Sequence, residues 1–279
     1  MLKSITPISY PGGKSKVVKK ILSPLFPEFS GDFYDPFLGG GSIPLFISQM
    51  YPEKKTFVND LNEVLINFWK ILHKYPHELV QKLIYIRESS DPNNLETGKQ
   101  LLKDQENYLY NSTDNLVRAC AYFVLNKIAF SGLTEHGSLS KDNYKKKFNA
   151  GNVQKLAIIN NFMNNWEISN NDYETFINGA VLNDFIFLDP PYDLGKENST
   201  LYGKMGEMHK GFDHERFAKV IKGLKSNWMI TYNDTEEIRE RFKDYKIIDQ
   251  EYRYFMTFKT DELGNKNTRM KNELIIINY

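Results

Sequence analysis

The tetrad Asp189-Pro190-Pro191-Tyr192 follows directly on the apolar run Phe185-Ile186-Phe187-Leu188. Four apolar residues closed by an acid and two prolines read as a buried strand that stops abruptly, because proline has no amide hydrogen to give a central strand. Such a strand delivers a carboxylate to a sheet edge, and in open α/β sheets ligands lie beyond the carboxyl ends of the strands. A planar amine suits this group. The Asp189 carboxylate and the Pro190 carbonyl can accept the two hydrogens of an exocyclic NH2, while Tyr192 can stack on the ring that bears it. An Asp-Pro pair by itself reads as a polar turn after a core strand; the company of the full tetrad favours the chemical reading.

That company begins with Tyr10-Pro11-Gly12-Gly13-Lys14, which leads into an amphipathic stretch where Val17, Ile21, Leu22 and Leu25 share a helical face. Lys14 at a helix start gains nothing from the helix dipole, so it is either a ligand group or a solvated lysine. Next, Phe33-Tyr34-Asp35-Pro36-Phe37-Leu38 runs into Gly39-Gly40-Gly41-Ser42 and a helical pattern. This strand, glycine loop and helix resemble a dinucleotide fingerprint, except that Pro44 stands where its third glycine would. Asp35 beside the loop would repel a pyrophosphate and suits a cationic ligand, which favours S-adenosylmethionine over NAD. A second short strand, 56–60, ends in Asp60, at the offset where a carboxylate binds ribose hydroxyls; Asp60 could also cap the helix that follows. Asp172, before Tyr173, could accept from the adenine amine of a bound nucleoside or cap the turn after it.

These groups need a scaffold, and the chain supplies strand–helix alternation on both sides of a long interruption. From about 67 to 166 strand signals vanish and helices are expected at 76–88, 94–111, 113–130 and 152–164. Within this insertion, 131–149 reads as a polar loop or hairpin with four lysines and two aromatics. Lys141, Lys145, Lys146 and Lys147 suit phosphate contact, and Thr134, Glu135, His136 and Ser138 suit base edges; the alternative is a solvated basic loop. After the tetrad, 193–212 is polar and glycine-bearing, placed where a lid would act. A helix from Asp213, a strand at 228–232 and a closing hairpin of 252–258 with 274–277 complete an α/β pattern.

Composition sets the bounds. A chain of 279 residues, 41% apolar and with formal net charge +1, has the makings of a soluble globular protein without the basic excess of a purely electrostatic nucleic-acid binder. Its single cysteine, Cys120, excludes an internal disulfide or cysteine-cluster metal site, and no metal is called for. No apolar run reaches the length of a membrane span, nor does the N-terminus carry an apolar signal, so the cytoplasm is the expected compartment.

With these residues in view, the sequence resembles the Dam-like, alpha-group DNA adenine-N6 methyltransferases. The resemblance rests on motifs in a fixed order: Tyr-Pro-Gly-Gly-Lys, Asp-Pro-Phe-Leu-Gly-Gly-Gly, Asn-Asp-Leu-Asn, Asp172-Tyr173, Asp-Pro-Pro-Tyr and the terminal Asn-Glu-Leu-Ile-Ile-Ile-Asn-Tyr. It implies a Rossmann-like α/β fold, an S-adenosylmethionine-dependent methyltransferase sheet with an inserted, mainly helical target-recognition domain. The catalytic domain would comprise 1–66 and 167–279, and the recognition domain 67–166. Tyr10, Lys14, Asp35, Phe37, Gly39, Gly41, Asp60, Asp172 and Tyr173 would surround the cofactor, and Asp189, Pro190, Pro191 and Tyr192 would hold an adenine flipped out of double-stranded DNA. A cognate restriction endonuclease is an implied partner. The family's recognition turn carries an arginine where this chain has Ser131-Gly132-Leu133-Thr134-Glu135, so a GATC target does not carry over. Other substrates of related tetrads are N4 of cytosine, adenine in RNA and a protein amide; the reading from another class is a non-catalytic DNA-binding module.

Overall fold

The computed structural model describes residues 5–130, 134, 137–192, 211–260 and 266–279, with backbone alone for 251–260 and 266–272. The chain divides into two compact units, Met1–Phe26 with Asp32–Gly179, and Pro27–Gly31 with Ala180–Tyr279.

In the first unit, strands β1 (Phe33–Asp35), β2 (Thr56–Asn59) and β3 (Trp166–Ser169) lie parallel in the order β3-β2-β1. Their register pairs Tyr34 with Phe57 and Val58 with Ile168, so all three carboxyl ends point one way. Helix α1 (Ser42–Met50) connects β1 to β2, and α2 (Glu63–Lys74) follows β2. The cap of α2 is Asn62, whose side chain accepts from the Leu65 amide. Asp60 is therefore not the cap that its position allowed.

The helical segment lies wholly in this unit. Helices α3 (Pro76–Glu88), α4 (Leu95–Asn111), α5 (Asn115–Ile128) and α7 (Ala150–Asn160) form where expected: α3 matches at both ends, α4 and α5 are shorter by one or two residues at their ends, and α7 begins two residues earlier and ends four earlier. Helix α5 is buried on every side from Ala119 to Ile128 and forms the centre of the packing. Phe68 of α2 stacks on its Tyr122 and Phe123, while Trp69 meets Trp166 of β3. Truncating such a buried aromatic costs about 3–5 kcal/mol, so α2 and α5 behave as one body. Burial also pushes the Cys120 thiol up to about 12, which makes it an inert core residue.

Two local expectations are corrected. Residues 14–25 form short turns, the middle one, Val18–Leu22, wound wider than an α-helix, with the Leu22 amide bonded to the Val17 carbonyl at 3.3 Å. Leu22 is buried as expected, but Val18 takes the buried place expected of Val17, and Ile21 and Leu25 are half-buried. The lysine-bearing segment is more than a loop: a bridge between Ala129 and Leu139 closes its base, and Lys141–Lys146 form helix α6, capped by Ser140.

In the second unit, β4 (Phe185–Leu188) and β5 (Asn227–Asn233) run parallel, and the order β4-β5-β7-β6 is completed by the antiparallel hairpin of β6 (Lys246–Thr260) and β7 (Lys266–Ile277). All four residues of β4 are buried, as a central strand requires. Helix α9 (His214–Lys222), capped by Asp213, packs Phe217 and Ile221 inward, and α10 (Glu236–Arg241) follows β5; the short α8 (Tyr173–Ile177) belongs to the first unit. Apart from 211 and 212, the segment expected to act as a lid lies outside the described residues. Among the described residues no helix is long and apolar enough to cross a membrane.

Candidate active site

The glycine loop after β1 is built from backbone that only glycine adopts readily. Gly39 and Gly41 have φ of +47° and +68°, the left-handed region that a Cβ penalises. The space is closed as well: a Cβ on Gly39 would lie 2.8 Å from the Tyr10 ring, and one on Gly41 2.5 Å from Trp69. Trp69 donates its indole N–H to the Gly39 carbonyl at 3.1 Å, so α2 braces the loop from below.

Asp60 completes that brace. Its carboxylate accepts from the Gly39 amide at 2.9 Å and from the Asn62 amide at 3.0 Å. Burial pushes the Asp60 carboxyl up to about 6, against the pull of hydrogen bonds from the Asn62, Gly39 and Leu61 amides. Leu61, next in sequence, is 61% exposed, an apolar surface directly beside this acid. Asn59 ties the strand ends together: its amide group donates to the Pro36 carbonyl and the Asn171 carbonyl, and its oxygen accepts from the Asn171 amide and the Ser169 hydroxyl. One buried asparagine thus links the ends of β1, β2 and β3.

The remaining candidates of this half sit on the same framework. Asp35, buried, accepts from the Phe37 amide at 3.1 Å. The Phe37 and Tyr173 rings are 5.7 Å apart. Asp172 caps α8 by accepting from the Glu174 amide, so its capping role is realised. Lys14 is only 3% exposed and donates to the Gly12 carbonyl at 2.9 Å, which excludes the solvated-lysine reading.

In the second unit, Asp189 follows β4, and the Thr231 hydroxyl of β5 donates to its carboxylate at 2.7 Å, fixing its rotation. Pro190 is buried, Pro191 half-buried. The Tyr192 hydroxyl donates to Glu273 of β7 at 2.8 Å, and the Tyr192 ring lies 6.2 Å from Tyr232, which also bonds to His214. Thr231 and Trp69 were not singled out by sequence, and Asn59 and Glu273 entered only as members of the Asn-Asp-Leu-Asn and Asn-Glu-Leu-Ile-Ile-Ile-Asn-Tyr motifs, with no role of their own. Thr231 carried one available signal, a polar residue inside an otherwise apolar strand pattern.

Of the candidate DNA contacts, Ser138, Lys141, Lys145 and Lys146 are exposed. Lys146 pairs loosely with Asp142 at 3.4 Å on the same helix. Thr134 and Lys147 are half-buried, whereas Glu135 and His136 lie outside the described residues. Two residues of the segment are anchors: Tyr144 and Phe148 are fully buried, and the Tyr144 hydroxyl donates to the Asp91 carbonyl at 2.9 Å. At the C-terminal end of α5, Asn126 exchanges hydrogen bonds with the backbone of Ser9, and the Lys127 ammonium donates to the Pro7 carbonyl at 2.6 Å. Burial, helped by Lys147 and Lys155, pulls the Lys127 ammonium down to about 8.

Parallel strands ending in a glycine loop, a buried acid after the second strand and an Asp-Pro-Pro-Tyr turn after a later strand define the Rossmann-like methyltransferase class. The family model for D12 class N6 adenine-specific DNA methyltransferases matches residues 10–256, and the chain belongs to that family. It is 27% identical to the Type II methyltransferase M1.LlaDCHI of Lactococcus lactis subsp. cremoris, over 96% of this chain and 93% of the relative. It is 26% identical to the Type II methyltransferase M.MjaIII of Methanocaldococcus jannaschii, covering 78% and 79%, and 29% identical to the DNA N-6-adenine-methyltransferase of Escherichia phage P1, covering 84% of this chain and 30% of the phage protein. Its reaction is site-specific methylation of adenine N6 in DNA.

Proposed function

We propose that the methyl donor is S-adenosylmethionine, held by the first unit through Tyr10, Lys14, Asp35, Phe37, Gly39, Gly41, Asp60, Asp172 and Tyr173. The observation that carries this reading is the Asp60 carboxylate bound to the Gly39 amide of a loop with positive φ. A cradle without side chains, flanked by the acids Asp35 and Asp60, fits a cationic nucleoside and opposes a pyrophosphate. Asp60 would accept from ribose hydroxyls, and exposed Leu61 would face the nucleoside base. When bound, the cofactor supplies an electrophilic methyl on a sulfonium.

Asp189, Pro190, Pro191 and Tyr192 would receive the target adenine. Flipping it out of the duplex costs a few kcal/mol of lost stacking and pairing; Tyr192 offsets this by stacking, and Asp189 and the Pro190 carbonyl by accepting the two N6 hydrogens. These bonds would leave the N6 lone pair free to act as the nucleophile. On accepting the methyl group N6 would become cationic, and the Asp189 carboxylate would stabilise that charge before the proton leaves to water. Thr231 keeps the carboxylate from rotating away.

In the domain partition we propose, 1–66 and 167–279 catalyse and 67–166 recognises the site. Lys141, Lys145, Lys146 and Lys147 would meet phosphates, and Thr134, Glu135, His136 and Ser138 base edges. The names of the Type II relatives support a place in a restriction-modification system, with a cognate endonuclease as partner, working in the cytoplasm. Calorimetry tests the donor directly. The expected result is one S-adenosylmethionine site per chain, weakened by about 1.5–3 kcal/mol on Asp60→Ala and indifferent to NAD; absence of binding would overturn the assignment.

A further inference from the structure

Glu273 is an acid where the fold has little reason to keep one. It lies in β7, opposite Asn233 of β5, followed by Leu274, Ile275, Ile276 and Ile277, all buried, and is itself 1% exposed. Burying a carboxylate is unfavourable unless its oxygens are satisfied. One oxygen accepts from the Tyr192 hydroxyl at 2.8 Å, and the other has no hydrogen-bond partner among the described residues. No cation pairs with it among the described ion pairs. The carboxylate therefore does not knit β7 into a wider network. Among the described residues, the hydrogen bond its side chain makes is to the aromatic member of the tetrad.

The geometry of that bond explains its use. A tyrosine ring that serves as a stacking platform must point in one direction, and Tyr192 lies outside the regular elements, after β4. Tethering the hydroxyl, the atom farthest from the backbone, restrains the ring with the longest lever available. Tyr232, from the strand that pairs with β7, flanks the same ring, so β5 and β7 together form its seat.

We propose that Glu273 is a positioning residue for methyl transfer, holding the Tyr192 ring by its hydroxyl in the direction that receives the target base. The inference rests on the reading of Tyr192 as the base-stacking residue. It assigns Glu273 no contact with either substrate: its effect passes through Tyr192 and falls on turnover.

The test is a double-mutant cycle on single-turnover methylation, with donor and DNA affinities measured beside it. Tyr192→Phe keeps the ring and removes the tether, and is expected to slow methyl transfer by about tenfold, the size of one lost hydrogen bond, leaving both affinities within about twofold. In a Glu273→Ala background the same change should cost nothing further, and in Glu273→Gln, which retains an acceptor oxygen, it should cost nearly its full amount. Where Glu273→Ala does not fold by circular dichroism, Glu273→Asp, its carboxylate drawn back by one methylene, takes its place. A Tyr192→Phe penalty that is absent, or equal in all backgrounds, would overturn the proposal. Tyr192→Ala separates the two levels of the argument. If it abolishes turnover while the cycle shows no coupling, only the role of Glu273 fails; if it retains turnover, the stacking role of Tyr192 fails with it.

Discussion

Replacing Asp60 by asparagine separates binding from stability. In the folded protein the carboxyl is raised from 3.8 to about 6, chiefly by burial. At 1.36 kcal/mol per unit, an ionised Asp60 costs the fold about 3 kcal/mol at neutral pH. A raised acid contributes full stability below its unfolded value and loses it as pH rises through the folded one, so this cost develops between about pH 4 and pH 6. Asparagine removes it but retains one acceptor oxygen, so either the Gly39 or the Asn62 amide loses its partner, at about 1–3 kcal/mol. The two terms nearly offset above pH 7. Asp60→Asn is therefore expected to unfold within about 2 kcal/mol of the parent at pH 8 and to be the less stable protein near pH 3, below the unfolded value, where only the lost hydrogen bond counts. Its affinity for S-adenosylmethionine should fall by about 1.5–3 kcal/mol, the value of hydrogen bonds to a charged group. Urea denaturation at both pH values and calorimetry at pH 8 decide the matter. A variant with unchanged affinity, or one more than about 3 kcal/mol less stable at pH 8, would show that Asp60 is a structural clamp and refute the ligand role.

Three further changes probe the other groups. Asp189→Ala should nearly abolish turnover while leaving donor affinity within about twofold, since the acid meets the acceptor amine; retained turnover in a folded variant removes its role. Thr231→Val is nearly isosteric and deletes the bond that fixes Asp189, so turnover should drop by about tenfold with donor affinity unchanged; an unaffected rate would mean that the Asp189 rotation is set elsewhere. Neutralising Lys141, Lys145 and Lys146 should weaken all DNA sequences alike and flatten the salt dependence by about one unit of slope for each lysine that meets a phosphate, whereas Ser138→Ala should change which sites are methylated. If neither site preference nor slope moves, recognition lies elsewhere in the helical segment.

The parts of this fold legible in the sequence are those where one interaction dominates. Four apolar residues before Asp189 specify a central strand, and positive φ at Gly39 and Gly41 explains why glycines occupy those positions. What was hidden depends on distant partners or competing local preferences. Helix α6 sits in a lysine-rich run that reads as loop, because the buried faces of Tyr144 and Phe148 hold it and its own propensity does not. Residues 14–25 kept a helical pattern but wound a wider turn in the middle, which buries Val18 in place of Val17 while Leu22 stays buried. Trp69 reads as an ordinary core residue of α2 until its indole is seen against Gly39, and Glu273 gains meaning only through Tyr192, 81 residues away.

The account is tested most directly by the chemical identity and position of the transferred methyl. The protein is incubated with S-adenosylmethionine labelled in the methyl group and with unmethylated duplex DNA, the product nucleosides are resolved by mass spectrometry, and modified positions are mapped by single-molecule sequencing. The account predicts labelled N6-methyladenine confined to one short sequence context, and none with Asp189→Ala. Label in N4-methylcytosine, label scattered without sequence context, or no transfer from a protein that binds the donor would contradict it.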